Sequence, residues 1–148
     1  MTKQDPPAYR VFNEIGIIDQ LASHAFMQVL PGRMTIAQFS VLNHFMRLGH
    51  DFRTPAQLAN AFQVSRPTMS STLAKLERAG LVSIAPDPDD RRSKHVSITT
   101  KGRAMRDDCL ARLADPLAEV EAQVPPEIFT RLLPLLTQLR EILDHMRD

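Results

Sequence analysis

Apolar positions recur along this chain with two different periods, and the switch between them lays out its elements. From Tyr9 to Leu30, the residues Val11, Ile15, Ile18, Ala22, Ala25 and Val29 follow at spacings of four, three, four, three and four. That rhythm predicts a long helix with a coiled-coil-like seam. Phe12, Ile17, Leu21 and Phe26 widen its apolar surface, so it must be covered on more than one side. Pro31-Gly32 breaks it. Thr35 and Gln38 then form a capping box for a helix to about Leu48, with Phe39, Leu42, Phe45 and Met46 as its core face. Gly49 and the polar stretch His50-Asp51-Phe52-Arg53 lead to a second capping box, Thr54 with Gln57, and Pro55 is pre-set for the first helical turn. This short helix turns Leu58, Ala61 and Phe62 inward. Gln63-Val64 makes a turn, Ser65 caps a further helix to about Ala79, and Gly80 stops it. Pro67 is tolerated because it falls in the first turn.

The period then drops to two. Val82 and Ile84, then Val96 and Ile98, alternate with Ser83, Ala85 and Ser97, as half-buried strands do. Between them, two prolines and three aspartates in Pro86-Asp87-Pro88-Asp89-Asp90-Arg91-Arg92-Ser93-Lys94 make a turn that also keeps this edge from pairing with other chains. Thr100 and Gly102 lead into a long helix carrying Leu110, Leu113, Leu117, Val120 and Val124, in which Pro116 predicts a kink. Pro125-Pro126 starts the last helix, to about His145, with Ile128, Leu132, Leu135, Leu139, Ile142 and Met146 in its seam and a bend expected at Pro134. Phe129, Leu133, Leu136 and Leu143 widen that stripe. Two short helices followed by a charged-tip hairpin outline a winged helix-turn-helix. The fold class is therefore mainly α with a small β-hairpin wing, flanked by N- and C-terminal helices.

The helix after Ser65 buries only a narrow stripe, Met69, Leu73 and Leu76. Arg66, Thr68, Ser70, Ser71, Thr72, Lys75 and Arg78 face outward. Small hydroxylated side chains let a helix approach base edges, and framing cations neutralise phosphate, so this face suits the major groove of double-stranded DNA. Ser70 and Ser71 are placed nearest the bases and Lys75 on phosphate, with Arg66 and Thr68 completing the set. Taken alone, such a face also describes an ordinary solvated helix, and the hairpin tips the balance. Arg91, Arg92 and Lys94 at its tip can enter a minor groove or grip flanking phosphates, and Asp90 can hold an arginine in a fixed pose.

Charge distribution points the same way. From Ser65 to Arg103 there are eight Lys or Arg against four Asp or Glu, whereas Ala104 to Asp148 holds five against nine. A basic middle and an acidic end put only the middle against nucleic acid. The 148 residues, 43% hydrophobic and 24% charged, suit one globular domain with helical extensions. No apolar run approaches the roughly 20 residues of a membrane span, and Met-Thr-Lys-Gln-Asp-Pro-Pro lacks the apolar core of a signal peptide, so a cytoplasmic, membrane-free protein is expected. Residues 1 to about 7 are expected to be disordered. A lone Cys109 excludes an internal disulfide, and the five histidines show no metal-ligand spacing. Five glycines are expected at turns, and no P-loop, G-x-S-x-G or dinucleotide motif is present. No cofactor, metal or catalytic role is read.

The run DPDDRRSKHVSITTKG, following VSRPTMSSTLAKLERAGLV, resembles the MarR family of bacterial transcriptional regulators. That family's wing typically reads Asp-Pro-x-Asp-Arg-Arg-Ser before a strand ending in Leu-Thr-x-x-Gly; here Ile98 stands at the Leu. The resemblance covers residues 54 to 102 and supports the wing arginines most strongly. It implies a homodimer formed through the terminal helices, and hence 1–34 as arm and dimerisation helix, 35–100 as DNA-binding domain and 101–148 as C-terminal dimerisation helices. It also implies two recognition helices roughly 34 Å apart on a near-palindromic operator, and a repressor released by a small-molecule effector. The effector pocket would lie between winged helix and dimerisation helices, near His24, Met27, His44 and Arg47, with Cys109 close by. In the family's peroxide sensors the reactive cysteine belongs to the first helix, where this chain has none. The alternatives are a winged helix that meets another protein instead of DNA, an enzyme whose winged helix is accessory, against which no constellation of acid, base and nucleophile appears, and a monomeric bundle instead of a dimer.

Overall fold

A computed structural model describes residues 4–148. The elements run α1 (Pro7–Met27), α2 (Ile36–Leu48), α3 (Pro55–Phe62), α4 (Arg66–Arg78), β1 (Val82–Pro86), β2 (Lys94–Ile98), α5 (Thr100–Ala111), α6 (Ala114–Gln123) and α7 (Pro126–His145). The chain forms two compact units, one ending at Arg112 and one comprising Leu113–Asp148. α5 belongs to the first of these units.

Local chemistry starts the helices where the sequence signals them. Thr35 accepts the Gln38 amide at 3.1 Å while Gln38 Oε1 accepts the Thr35 amide at 3.2 Å, and Thr54 and Gln57 do the same at 3.1 and 3.0 Å. Each box satisfies two donors that a helix start otherwise leaves bare. α1 starts at Pro7, inside the stretch expected to be disordered, and stops three residues before Leu30. Pro suits a first helical position, and Pro31 disfavours helix in the residue before it. Residues 1–3 of that stretch lie outside the described residues.

The core of the first unit is built from Val41, Leu42 and Phe45 of α2, Leu58 and Ala59 of α3, the Met69–Leu73–Leu76 stripe of α4, and Leu81, Val82, Val96 and Ile98 of the hairpin. α1 buries none of its residues; Phe26 touches the unit by standing edge-on to Phe39, 4.8 Å between ring centres. β1 and β2 pair antiparallel from Val82 opposite Ile98 to Pro86 opposite Lys94. The sheet has a further member that periodicity does not announce. Arg53 pairs with Val96 through both backbone bonds, at 2.9 and 2.8 Å, on the other edge of β2.

Two glycines depart from the turn role. Gly32, Gly49 and Gly80 have positive φ, but Gly16 sits inside α1 and Gly102 in the first turn of α5. A Cβ on Gly102 would collide with the Leu81 carbonyl oxygen and lie 2.9 Å from Ile98 Cγ1. Only a glycine lets α5 rest on that peptide. Thr99 caps α5. Its hydroxyl accepts the Gly102 amide at 3.0 Å and donates to the Gly80 carbonyl at 2.7 Å.

In the C-terminal part, the expected kink at Pro116 is a full break. α5 ends at Ala111, and α6 starts at Ala114 with Pro116 third in its first turn. Proline has no N–H for the carbonyl four residues back and its ring crowds that turn, whereas in a first turn the missing donor costs nothing. α7 runs unbroken through Pro134. It leaves Leu132, Leu133, Leu135, Ile142 and Met146 exposed.

Candidate DNA interface

α4 is held by its hidden stripe and leaves the opposite face free. Ser65 Oγ accepts the Thr68 amide at 3.2 Å and donates to Thr68 Oγ1 at 2.8 Å. The Thr72 hydroxyl donates to the Thr68 carbonyl at 3.2 Å. Two of the hydroxyls on this face are therefore engaged within the helix, whereas those of Ser70 and Ser71 are exposed and make no hydrogen bond among the described residues. Arg66 and Lys75 are exposed, and among the described residues neither forms an ion pair.

The wing is shaped by its aspartates. Asp87 Oδ1 accepts the Asp89 amide at 2.8 Å, and Asp90 Oδ1 accepts both the backbone amide of Arg92, at 3.0 Å, and its Nε, at 3.3 Å. Asp90 thus sets the base of the Arg92 side chain, which is 93% exposed and extends into solvent. This aiming role was expected of Asp90. Arg91 and Lys94 are exposed and unpaired among the described residues. The Asp87 carboxyl is held below its ordinary range, chiefly by the Asp89 amide and further by His95.

Between α4 and the wing lies a groove of about 600 Å³. Arg66 and Ser70 line it from the recognition helix, and Asp90, Arg92 and Lys94 from the wing; Thr54, Pro55 and Ala56 at the start of α3 close its end. Four predicted site residues meet there. Thr68, Ser71, Lys75 and Arg91 do not line it. Lys94 was read as part of the wing tip but left out of the candidate set, and the start of α3 carried no charge signal at all. A groove walled by three cations, with one carboxylate already engaged, matches a phosphate backbone passing from helix to wing.

The comparisons agree with this geometry. Residues 34–93 match the sequence profile described as the MarR family. The HTH-type transcriptional regulator PecS of Dickeya dadantii (strain 3937) is 25% identical over 132 residues, covering 88% of this chain and 78% of PecS. The solved transcriptional regulator BldR from Sulfolobus solfataricus superimposes with a TM-score of 0.75 at 26% identity, over 93% of this chain and 95% of BldR. A cysteine-to-serine mutant of MarR from E. coli in complex with operator DNA gives a TM-score of 0.71 at 25% identity, over 88% and 93% of the two chains. Over residues 34–93 the chain is similar to the MarR family.

The MarR-family resemblance placed an effector near His24, Met27, His44 and Arg47. His24, Met27 and Arg47 are exposed, and His44 is buried against Phe62. A cavity of about 720 Å³ lies elsewhere, between the Pro31–Met34 connection, the end of α4 and α5. Arg33, Lys75 and Arg78 ring it above the apolar Met34, Leu76 and Met105. Lys75, expected on phosphate, therefore lies on its wall. The sequence offered no cue, since these residues come from three separated segments. Burial, and then Arg47, Arg53 and His50, lower the pKa of His44, and among the described residues its Nε2 has no hydrogen-bond partner. Cys109 is fully buried, and burial followed by Asp108 pushes its thiol up. A reactive thiol needs exposure and a lowered pKa, and this one has neither.

Among the described residues, no three His, Cys, Asp or Glu groups are placed to hold a metal ion, and no helix is long and apolar enough to cross a membrane.

Proposed function

We propose that this chain is a MarR-family, sequence-specific regulator that binds double-stranded DNA as a homodimer and acts as a repressor on a near-palindromic operator. The observation that carries the reading is the groove in which Arg66, Ser70, Arg92 and Lys94 converge from two elements, with Arg92 aimed by Asp90. α4 enters the major groove with Ser70 and Ser71 at the base edges, and the wing arginines Arg91 and Arg92 follow the backbone into the adjacent minor groove. The E. coli MarR mutant solved with operator DNA supports this assignment. The function is binding, with no catalytic step.

The dimer reading rests on apolar surface. α1 exposes Tyr9, Phe12, Ile18 and Leu21, and α7 exposes Leu133, Leu135 and Met146, more than a soluble monomer ordinarily leaves in water. A second copy covers these faces and places two recognition helices on one side of the duplex. The 720 Å³ cavity suits an anionic effector with an apolar body, and such a ligand releases DNA only through its differential affinity for the two states.

The test is fluorescence anisotropy with duplexes from the protein's own upstream region, titrated with salt against nonspecific competitor. A competitor-resistant complex is expected. The Arg92→Ala variant should bind about tenfold more weakly, with a salt slope smaller by about one, and an unchanged dimer. Binding that ignores salt, or equal affinities of wild type and variant, points instead to a winged helix that meets another protein.

A further inference from the structure

The wing is fastened at its root by a group that the DNA-binding reading does not use. His95 in β2 lies flat against Phe52, with ring centres 3.7 Å apart and planes inclined by 15°. Its Nε2 is 3.0 Å from Asp87 Oδ2. Phe52 reaches this position because Arg53, next in the chain, pairs with Val96, the residue after His95. From Asp87 a relay of bonds runs to the tip. The other Asp87 oxygen accepts the Asp89 amide, the Asp87 amide donates to the Ser93 carbonyl at 3.1 Å, and the Ser93 amide donates to the Asp90 carbonyl at 3.0 Å. Asp90 then holds Arg92.

We propose that His95, clamped between Phe52 and Asp87, is the positioning residue of the wing, and that protonation of its imidazole tightens the wing and strengthens DNA binding. Both the ring and the carboxylate are about four-fifths shielded, with side-chain exposures of 23% and 21%, so the pair is less screened than Asp90–Arg92 at the wing tip. Other charged groups nearby are Lys94, which precedes His95 in β2, and Asp51 and Arg53, which flank Phe52. Asp87 is the ionised group in contact with the ring among the described residues. A neutral imidazole donates one hydrogen bond to Asp87. An imidazolium donates the same bond with charge behind it, and charge-assisted bonds are roughly twice as strong. The DNA half of this proposal rests on the regulator reading above; the wing half does not.

Two measurements on the full-length protein separate them. The first is amide hydrogen exchange at Asp89 and Ser93 in wild type, His95→Ala, His95→Gln and Phe52→Leu. Loss of one hydrogen bond should raise exchange about fivefold in His95→Ala, Phe52→Leu should raise it less, and His95→Gln, which keeps a donor, should restore the wild-type rate. The second is anisotropy with a mixed-sequence duplex at low, constant ionic strength at pH 6 and pH 8. Wild type should tighten towards pH 6 by about threefold more than His95→Gln, because only wild type gains the charge. Equal exchange in wild type, His95→Ala and Phe52→Leu overturns the clamp. Equal pH responses in wild type and His95→Gln overturn its protonation role. If wild type binds no duplex at any salt, the regulator reading fails, and the exchange result alone decides the clamp.

Discussion

Gly102→Ala tests the packing on which the placement of α5 depends. The new methyl carbon would meet the Leu81 carbonyl oxygen well inside contact distance, and the Leu81 carbonyl carbon at 3.0 Å. Neither can give way easily. Leu81 is 2% exposed, its amide is bonded to Leu76 at 2.9 Å and its carbonyl accepts the Thr99 amide at 3.1 Å. The start of α5 must therefore lift, straining the Thr99 hydroxyl bond to the Gly80 carbonyl and the Lys101 Nζ bond to the Ala79 carbonyl, at 2.7 and 2.8 Å. Overpacking of this kind costs about 1–3 kcal/mol, and each surrendered hydrogen bond about 1 kcal/mol. The better helix propensity of alanine returns at most about 1 kcal/mol. The net loss is about 2–4 kcal/mol, which at about 4 °C per kcal/mol for a unit of this size lowers Tm by about 10 °C. The assay is thermal unfolding followed by far-ultraviolet circular dichroism at one fixed protein concentration, since a dimer's Tm depends on concentration. Gly16→Ala is the matched control, a helix-interior glycine with nothing within 4 Å of the added carbon, and should hold or raise Tm. A Gly102→Ala protein melting within about 1 °C of wild type would refute the close approach.

Three further outcomes follow from the same packing. Cys109 should resist a thiol reagent in the native protein and react at the unfolding rate, and rapid native labelling would contradict its burial. His44 has a folded-state pKa below the ordinary 6.5, so the unfolded chain takes up a proton first as pH falls. Stability is then full above about pH 6.5 and declines below it, a decline that His44→Phe should flatten in pH-dependent urea melts. Leu135→Glu, which puts a charge on the exposed face of α7, should shift the sedimentation profile towards monomer, while Ser71→Glu, on the face assigned to DNA, should leave it unchanged.

Most of the fold was legible because its signals are local. The Thr35–Gln38 and Thr54–Gln57 boxes, the Ser65 cap and the stop at Gly80 each involve residues within about one turn of one another, so chain order alone brings them together. The Met69–Leu73–Leu76 stripe and the alternation of β1 and β2 were legible for the same reason, and so was the Asp90–Arg92 contact, two residues apart. Pro116 was seen, but not its effect. Whether a proline bends a helix or divides it depends on whether the turn before it is retained, and here the chain restarts so that Pro116 falls in a first turn.

By itself, then, the sequence determined the element order, the helix caps and the charged wing, because each is written in neighbouring residues and in a period of two or of about 3.6. What tertiary structure decided is which distant residues meet. It placed Arg53 on the edge of β2 and so brought Phe52 onto His95, drew Arg66 and Lys94 into one groove, and set Gly102 on the Leu81 carbonyl. It also brought Arg33, Lys75 and Arg78 around one cavity. The physical reason is that side chains tens of residues apart become neighbours only when the buried stripes of α2, α3 and α4 close on the hairpin, and no periodicity along the chain encodes that closure.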